Sequence, residues 1–262
     1  MILAVDVGNT HIVLGALCRD SDKITFTAQI SSDRGKTADE YAVLLQSLFA
    51  LNGFDPRREA VEGSIISSVV PGLTPLLRQA LEKLSGLPVL VVGTGIKTGL
   101  NILIDNPAQL GSDMVVMAVA AAAIYPKPVL IFDLSTATTL SVLDERGGYL
   151  GGMIMPGVRL GMDALSNSTA QLPHINLEAP KRLIGTNTVD CMKSGYTYGT
   201  AAMLDGIVQR VEGKLGKKAT VVATGMLAQS IVPYCRCGIA YDENLRLKGL
   251  RLIYLRNSER AK

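Results

Sequence analysis

Two short stretches carry most of the side chains able to do chemistry. In the first, the apolar run Met1-Ile-Leu-Ala-Val ends in Asp6, passes through Val7-Gly8-Asn9-Thr10 and returns as His11-Ile12-Val13-Leu-Gly-Ala-Leu17. In the second, Val129-Leu-Ile-Phe ends in Asp133, passes through Leu134-Ser135-Thr136 and returns through Thr138 and Thr139 to Leu143. A carboxylate at a strand end projects into the turn that follows. There, hydroxyls and backbone N–H groups can hold a phosphate, and oxygen ligands can hold a hydrated cation. A third candidate is Asp113, which follows Gly111 and Ser112 at the opening of the apolar run Met114 to Tyr125. In a helix first turn an acid interacts favourably with the dipole by ~0.3–1 kcal/mol. The functional alternative is a base that accepts a hydroxyl proton during phosphoryl transfer, a reaction that asks the protein mainly for positioning and charge stabilisation. Gly225, after the strand Ala219–Ala223, is either a turn glycine or a place where a nucleoside approaches bare backbone. Lys36 reads as solvated, and His11, on residue type alone, as incidental.

The elements that must position these groups read off in order. Branched apolar runs closed by small or proline residues are strands. The first half gives the Asp6 hairpin, a strand at Lys23–Ile30, a helix opened by the capping-box pair Thr37 and Glu40, a strand at Val61–Val70, a helix at Leu76–Leu84 and a strand at Pro88–Val92. The second half repeats the order: the Asp133 hairpin, a strand at Gly148–Met155, helices near Gly161–Ala170 and Val189–Glu212, a strand at Ala219–Ala223 and a closing helix at Asn244–Arg256. With Asp6 laid on Asp133 the flanking strands align without a gap, and such self-similarity implies two related halves. The boundary falls near Tyr125-Pro-Lys-Pro128, giving halves 1–126 and 127–262 of an α/β chain, with the two acids facing one another across a cleft.

Composition narrows the function classes. The chain has 262 residues, 48% of them hydrophobic, with a net charge of +3, no Trp and 5% aromatics. Neither a strong basic field nor base-stacking platforms are available, so nucleic acid is not an expected partner. The longest apolar run is shorter than the ~20 residues a bilayer requires, and the N-terminus enters a strand without a basic leader, so a cytoplasmic protein with no membrane association is expected. Cys18, Cys191, Cys235 and Cys237 form no CxxC pair, which fits reduced thiols rather than a zinc site.

The hairpin pair resembles the actin-like and sugar-kinase ATPase superfamily, with its two ribonuclease H-like halves around an interdomain cleft. Over nearly its whole length the chain is similar to the type III pantothenate kinases. The matching pieces include Asp6-Val-Gly-Asn-Thr10, Lys36-Thr-Ala-Asp-Glu-Tyr41, Ser67-Ser-Val-Val-Pro71, Asp105-Asn-Pro107, Gly111-Ser-Asp113, Thr136-Ala-Thr-Thr139, Gly185-Thr-Asn-Thr188 and the tail Leu247-Lys-Gly-Leu-Arg-Leu-Ile-Tyr254. The resemblance implies ATP-dependent phosphorylation of pantothenate, the first step toward coenzyme A. It also implies magnesium, a monovalent cation (potassium or ammonium), and a cytosolic homodimer. Carried over by position, Asp6, Val7, Gly8, Asn9, Thr10, His11, Ile12 and Val13 would hold the ATP phosphates, with Asp6 near the magnesium. Thr136 and Gly225 would contact ATP, and Asp133 the monovalent cation. Asp113 would be the general base, and Ile104, Gly111, Ser112, Met114 and Thr188 would border the substrate.

The chain departs from the family pattern in the same places. Gly-Ala-Asp-Arg is here Gly111-Ser112-Asp113-Met114, a tyrosine is replaced by Ile104, the second turn carries Ser135 for glycine, and Thr-Gly-Gly is Thr224-Gly225-Met226. These replacements leave two other readings open: a catalytically silent relative with a binding or regulatory role of the Bvg accessory factor type, and a kinase for another small hydroxylated substrate.

Overall fold

The computed structural model describes residues 1–258. They form two compact units, one of residues 1–100, 106–120 and the C-terminal helix, the other of residues 101–105 and 121–244.

The first unit is built on a five-stranded sheet of β1 (Ile2–Val7), β2 (His11–Leu17), β3 (Ile24–Ser31), β4 (Gly63–Ser68) and β5 (Val89–Val91). Their order across the sheet is β3-β2-β1-β4-β5. β1 runs antiparallel to β2 and parallel to β4, so it lies in the middle of the sheet, and all six of its residues are buried. A strand covered on both faces reads as a continuous apolar run rather than an alternation. Its odd positions, Leu3, Val5 and Val7, join a core with α1 (Ala38–Leu51) and α2 (Thr74–Ser85). Phe26, Phe49 and Phe54 close that core, with ring centroids 5.2–5.9 Å apart. The expected capping box at Thr37 and Glu40 is present at the start of α1.

The other face of β1 receives α7 (Leu245–Ser258), which packs on β1, β2 and β4. Two glycines allow this close approach, and a third allows that of a neighbouring helix. A Cβ at Gly63 would stand 2.4 Å from the Tyr254 hydroxyl, one at Gly15 would stand 2.9 Å from Leu247, and one at Gly249 would stand 2.0 Å from the Val116 carbonyl oxygen of α3 (Ser112–Ile124). Arg251, buried in α7, donates to the carbonyls of Cys18 and Arg19 and to Asp22, fastening the β2–β3 turn.

The second unit repeats the plan with β6 (Val129–Leu134), β7 (Ala137–Leu143), β8 (Tyr149–Pro156), β9 (Thr220–Thr224) and β10 (Ile239–Tyr241). Their order is β8-β7-β6-β9-β10. Strand for strand this is the first sheet again, with β6 antiparallel to β7 and parallel to β9. Leu130, Phe132 and Leu134 pack against Ala201, Leu204 and Val208 of the 28-residue α5 (Thr188–Leu215). Between β8 and α5 lies α4 (Val158–Asn167), and α6 (Ala228–Ile231) follows β9.

Two features differ from the sequence reading. The short α6 and the three-residue β10 were not anticipated. The two hairpins, expected to align without a gap, differ by one residue in the turn. Val7 faces Ile12, whereas Leu134 faces Thr138, so Asp6 is opposite Val13 while Asp133 is opposite Thr139. A one-residue offset moves each side chain of a strand to the other face. Both returning strands are apolar enough that their composition did not reveal the slip.

Candidate active site

In the first unit the candidate residues gather at the carboxyl ends of β1 and β4. Asp6 is 3% exposed and stands between Val13 of β2 and Ser67 of β4. The turn after it is closed by the Gly8 N–H donating to the His11 carbonyl at 2.9 Å. Ser32, just past β3, secures the turn from the side: its hydroxyl donates to the Gly8 carbonyl at 2.6 Å, and its N–H donates to that of Thr10 at 3.0 Å. Asn9 and Thr10 remain exposed at the tip, Gly8, His11 and Val13 are half-buried, and Val7 and Ile12 are in the core.

Asp6 has a partner that sequence reading missed. Arg246, in the first turn of α7, donates from Nη1 to Asp6 Oδ2 at 3.1 Å. Only 4% of the aspartate side chain and 19% of the arginine side chain are exposed. Ion pairs so shielded from water are costly to break by removing one partner. The two residues are 240 positions apart, and no local pattern announces the contact.

Asp113 occupies the first turn of α3, where a carboxylate is favoured by the helix dipole. Its carboxylate folds back over Gly111, where a Cβ would stand 2.5 Å from Oδ1. The residue between them ties this helix start to the sheet. Ser112 Oγ donates to the Ser68 carbonyl at 3.0 Å and accepts from the Ser68 N–H at 3.1 Å, and Ser67 Oγ donates to it at 3.1 Å. One donor and two acceptor sites are all that a hydroxyl has, so these three bonds saturate it. Because Ser67 is the register partner of Asp6, the link brings the start of α3 beside the end of β1. Met114, next on the helix, is half-buried.

In the second unit Asp133 is the counterpart of Asp6, again 3% exposed, between Thr139 of β7 and Thr224 of β9. Ser135, which replaces a glycine of the family pattern, donates its hydroxyl to Asp133 Oδ1 at 2.6 Å. Thr136 is exposed at the turn tip. Gly225 has φ +94°, and a Cβ there would lie 2.6 Å from Asp133 Oδ1 and 2.7 Å from the Leu134 carbonyl. Only glycine fits that backbone approach. Gly157, the residue before α4, is equally constrained, since its Cβ would be 2.1 Å from the Thr136 carbonyl oxygen.

Two other expected substrate residues of this unit lie on different elements. Ile104 belongs to the segment 101–105, which joins β8 through a parallel bridge between Ile102 and Tyr149. It lies 3.9 Å from the Cβ position of Gly151, three residue pairs along β7 and β8 from the row of Asp133. Thr188 opens α5, exposed behind the Asn187 cap, whose side chain accepts from the Asp190 N–H at 2.9 Å. Gly185 lets the preceding loop lie on that helix start, where a Cβ would meet the Cys191 N at 2.3 Å.

Each unit thus presents a buried carboxylate at the head of a glycine-bearing hairpin, and the first adds an acid on a helix start pinned beside it. Comparison with known proteins places the chain in a family. The sequence profile of the type III pantothenate kinases matches residues 2–210. A type III pantothenate kinase of Moorella thermoacetica is 43% identical over 258 residues, covering 98% of this chain and all of that one. Among solved structures, a candidate Baf family transcriptional activator of Campylobacter jejuni superposes with a TM-score of 0.62 at 18% identity, covering 98% of this chain and 99% of that one. A candidate 2-dehydro-3-deoxygalactonokinase of Sinorhizobium meliloti gives 0.55 at 14% identity, covering 100% and 96%. The structural likenesses show the actin-like, sugar-kinase type of fold, and the sequence match goes further: this chain belongs to the type III pantothenate kinase family.

Proposed function

We propose that the chain transfers a phosphoryl group from ATP to the hydroxyl of pantothenate, with Asp113 as general base. The observation that carries this reading is the Ser112 link, which fixes the helix start bearing Asp113 beside the strand end bearing Asp6. A base must be held in place to accept a proton as the oxygen attacks, and a helix first turn bonded to a central strand supplies that rigidity.

The remaining roles follow from the same layout. The segment Asp6–Val13 holds the ATP phosphates, and Thr136 and Gly225 border the nucleotide. The bare backbone at Gly225 suits a close ligand, since no side chain fits there. Magnesium, when bound, neutralises phosphate charge. The buried carboxylate of Asp6 fits an ion held through the phosphates, and that of Asp133 fits a monovalent cation such as potassium or ammonium. Gly111, Met114, Ile104 and Thr188 border pantothenate, with Ser112 acting through its position rather than its hydroxyl. The chain works as a cytoplasmic homodimer. In support of the dimer, the edge strand β8 and α4 expose Ile154, Met153, Leu160 and Leu165, apolar surface that a second copy would cover. Nucleic acid and membrane play no part.

A second reading is favoured by one observation: position 114 carries a half-buried methionine where the family has arginine. An uncharged side chain there suits a substrate without the pantothenate carboxylate. Calorimetric titration with ATP and with pantothenate separates the readings. Binding of both supports the pantothenate kinase, ATP binding alone supports a kinase for another substrate, and binding of neither sinks both in favour of a silent relative.

A further inference from the structure

A phosphate chain held at Asp6–Val13 leaves a charge to be accounted for. Asp6 is an anion at the head of the hairpin, and a phosphate chain is itself strongly anionic. The structure places a permanent cation against the carboxylate. Arg246 bonds to Asp6 Oδ2 at 3.1 Å, and a guanidinium stays charged at any working pH.

Arg246 is also held in place. Leu245, Leu247 and Leu250 beside it in α7 are 0–1% exposed, and the bare Cα of Gly249 lies against the Val116 carbonyl of α3. The helix that carries the arginine therefore cannot draw back from β1 without opening the core face on which it packs. A fixed cation at a ligand site needs no reorganisation when the ligand arrives.

Resting on the phosphate-binding role given above to Asp6–Val13, we propose that Arg246 is a built-in countercharge of the phosphate site. It offsets the Asp6 carboxylate and helps the hairpin accept a phosphate chain even before a metal has neutralised it. Arg246 is thus a positioning and charge-balancing residue acting through Asp6. Its effect is electrostatic and depends on the charge of the ligand. Coulomb energy is proportional to that charge, so removing the cation should weaken metal-free ATP, at about four negative charges, about twice as much on a logarithmic scale as the magnesium complex, at about two.

The test is nucleotide binding by calorimetry, in excess EDTA and in excess magnesium, on the wild-type chain, Arg246→Gln and Arg246→Lys. In the glutamine variant we expect a loss of roughly 10- to 100-fold for metal-free ATP and roughly 3- to 10-fold for the magnesium complex, so that the preference for the metal form widens. Lysine, which retains the charge, should keep both affinities within about 3-fold. A purely structural role would lower the melting temperature and weaken both forms equally, and that result overturns the assignment. Should the glutamine variant melt below the assay temperature, the lysine variant decides alone: loss of metal-free ATP binding by more than about tenfold overturns it, and retention supports it. A wild-type chain that binds both forms with an unchanged preference in Arg246→Gln overturns this assignment only. One that binds neither form overturns the kinase reading as well.

Discussion

Ser112→Ala is the sharpest test of how Asp113, the proposed base, is held. The hydroxyl makes three hydrogen bonds, to the carbonyl and N–H of Ser68 and with the hydroxyl of Ser67. A methyl group in its place makes none. Ser67 Oγ is completely buried but can rotate, whereas the Ser68 N–H is fixed by the backbone and loses its partner. A buried donor left unsatisfied costs about 1–3 kcal/mol. With ~2 kcal/mol as the central value, and about 2–4 °C per kcal/mol for a chain near this size, the apo protein should melt about 4–8 °C lower. With its anchor loosened, the start of α3 should also place Asp113 less well, lowering kcat severalfold while the KM for pantothenate moves little. The assay is a thermal melt of the ligand-free chain beside steady-state kinetics with pantothenate varied. An unchanged melt together with a tenfold rise in KM would rule out an anchoring role, because the hydroxyl would then belong to the substrate.

Other substitutions follow from the same geometry. Gly225→Ala places a Cβ 2.6 Å from Asp133 Oδ1 at a left-handed φ of +94°, so it should cost roughly 2–5 kcal/mol from backbone strain and overpacking together; a melt within 2 °C of wild type would show that the turn has room to give. Met114→Arg with Ile104→Tyr restores the two polar groups of the family pattern and should raise pantothenate affinity about 30- to 1000-fold, at roughly 2–4 kcal/mol for the recovered contacts; calorimetry showing no gain would mean that the pocket has changed in more than these two positions. Burial pushes the Cys235 thiol up to about 11 and the Cys237 thiol up to about 12, with Asp205 adding to both. At pH 8 only about one thiol in a thousand or fewer is then ionised, so both should react slowly with iodoacetamide, and faster as the pH rises. Exposed Cys191 should be labelled first, and mass spectrometry showing Cys235 or Cys237 modified ahead of it would contradict this.

The parts of this site that could be read in the sequence are those that local pattern determines. Asp6 and Asp133 each end a branched apolar run before a small polar turn, and each is found buried at a strand end. Thr37 and Glu40 announce a helix start through spacing alone, and both capping bonds form. What stayed hidden depends on packing at a distance. Arg246 reaches Asp6 only because α7 folds back onto β1, and nothing near residue 246 identifies that partner. Ser112 stands where a substrate contact was expected, but the count of its hydrogen bonds needs the end of β4, more than 40 residues earlier in the chain. The one-residue difference between the hairpin turns escaped because apolar strands align equally well in either register, whereas hydrogen-bond pairing does not. The three-residue β10 is too short to show any periodicity.

In the reaction proposed above, Asp113, pinned at the head of α3, takes the proton of a pantothenate hydroxyl as ATP phosphorylates it. The most direct measurement is the pantothenate-dependent formation of ADP and phosphorylated pantothenate, followed by mass spectrometry, in the wild-type chain and in Asp113→Asn. General base catalysis contributes typically 10²–10⁴-fold. With Asp113 as the base, the wild-type chain should form product and the variant should lose at least about a hundredfold in kcat, with ATP and pantothenate still bound by calorimetry. An Asp113→Asn enzyme that forms product at the wild-type rate would contradict it.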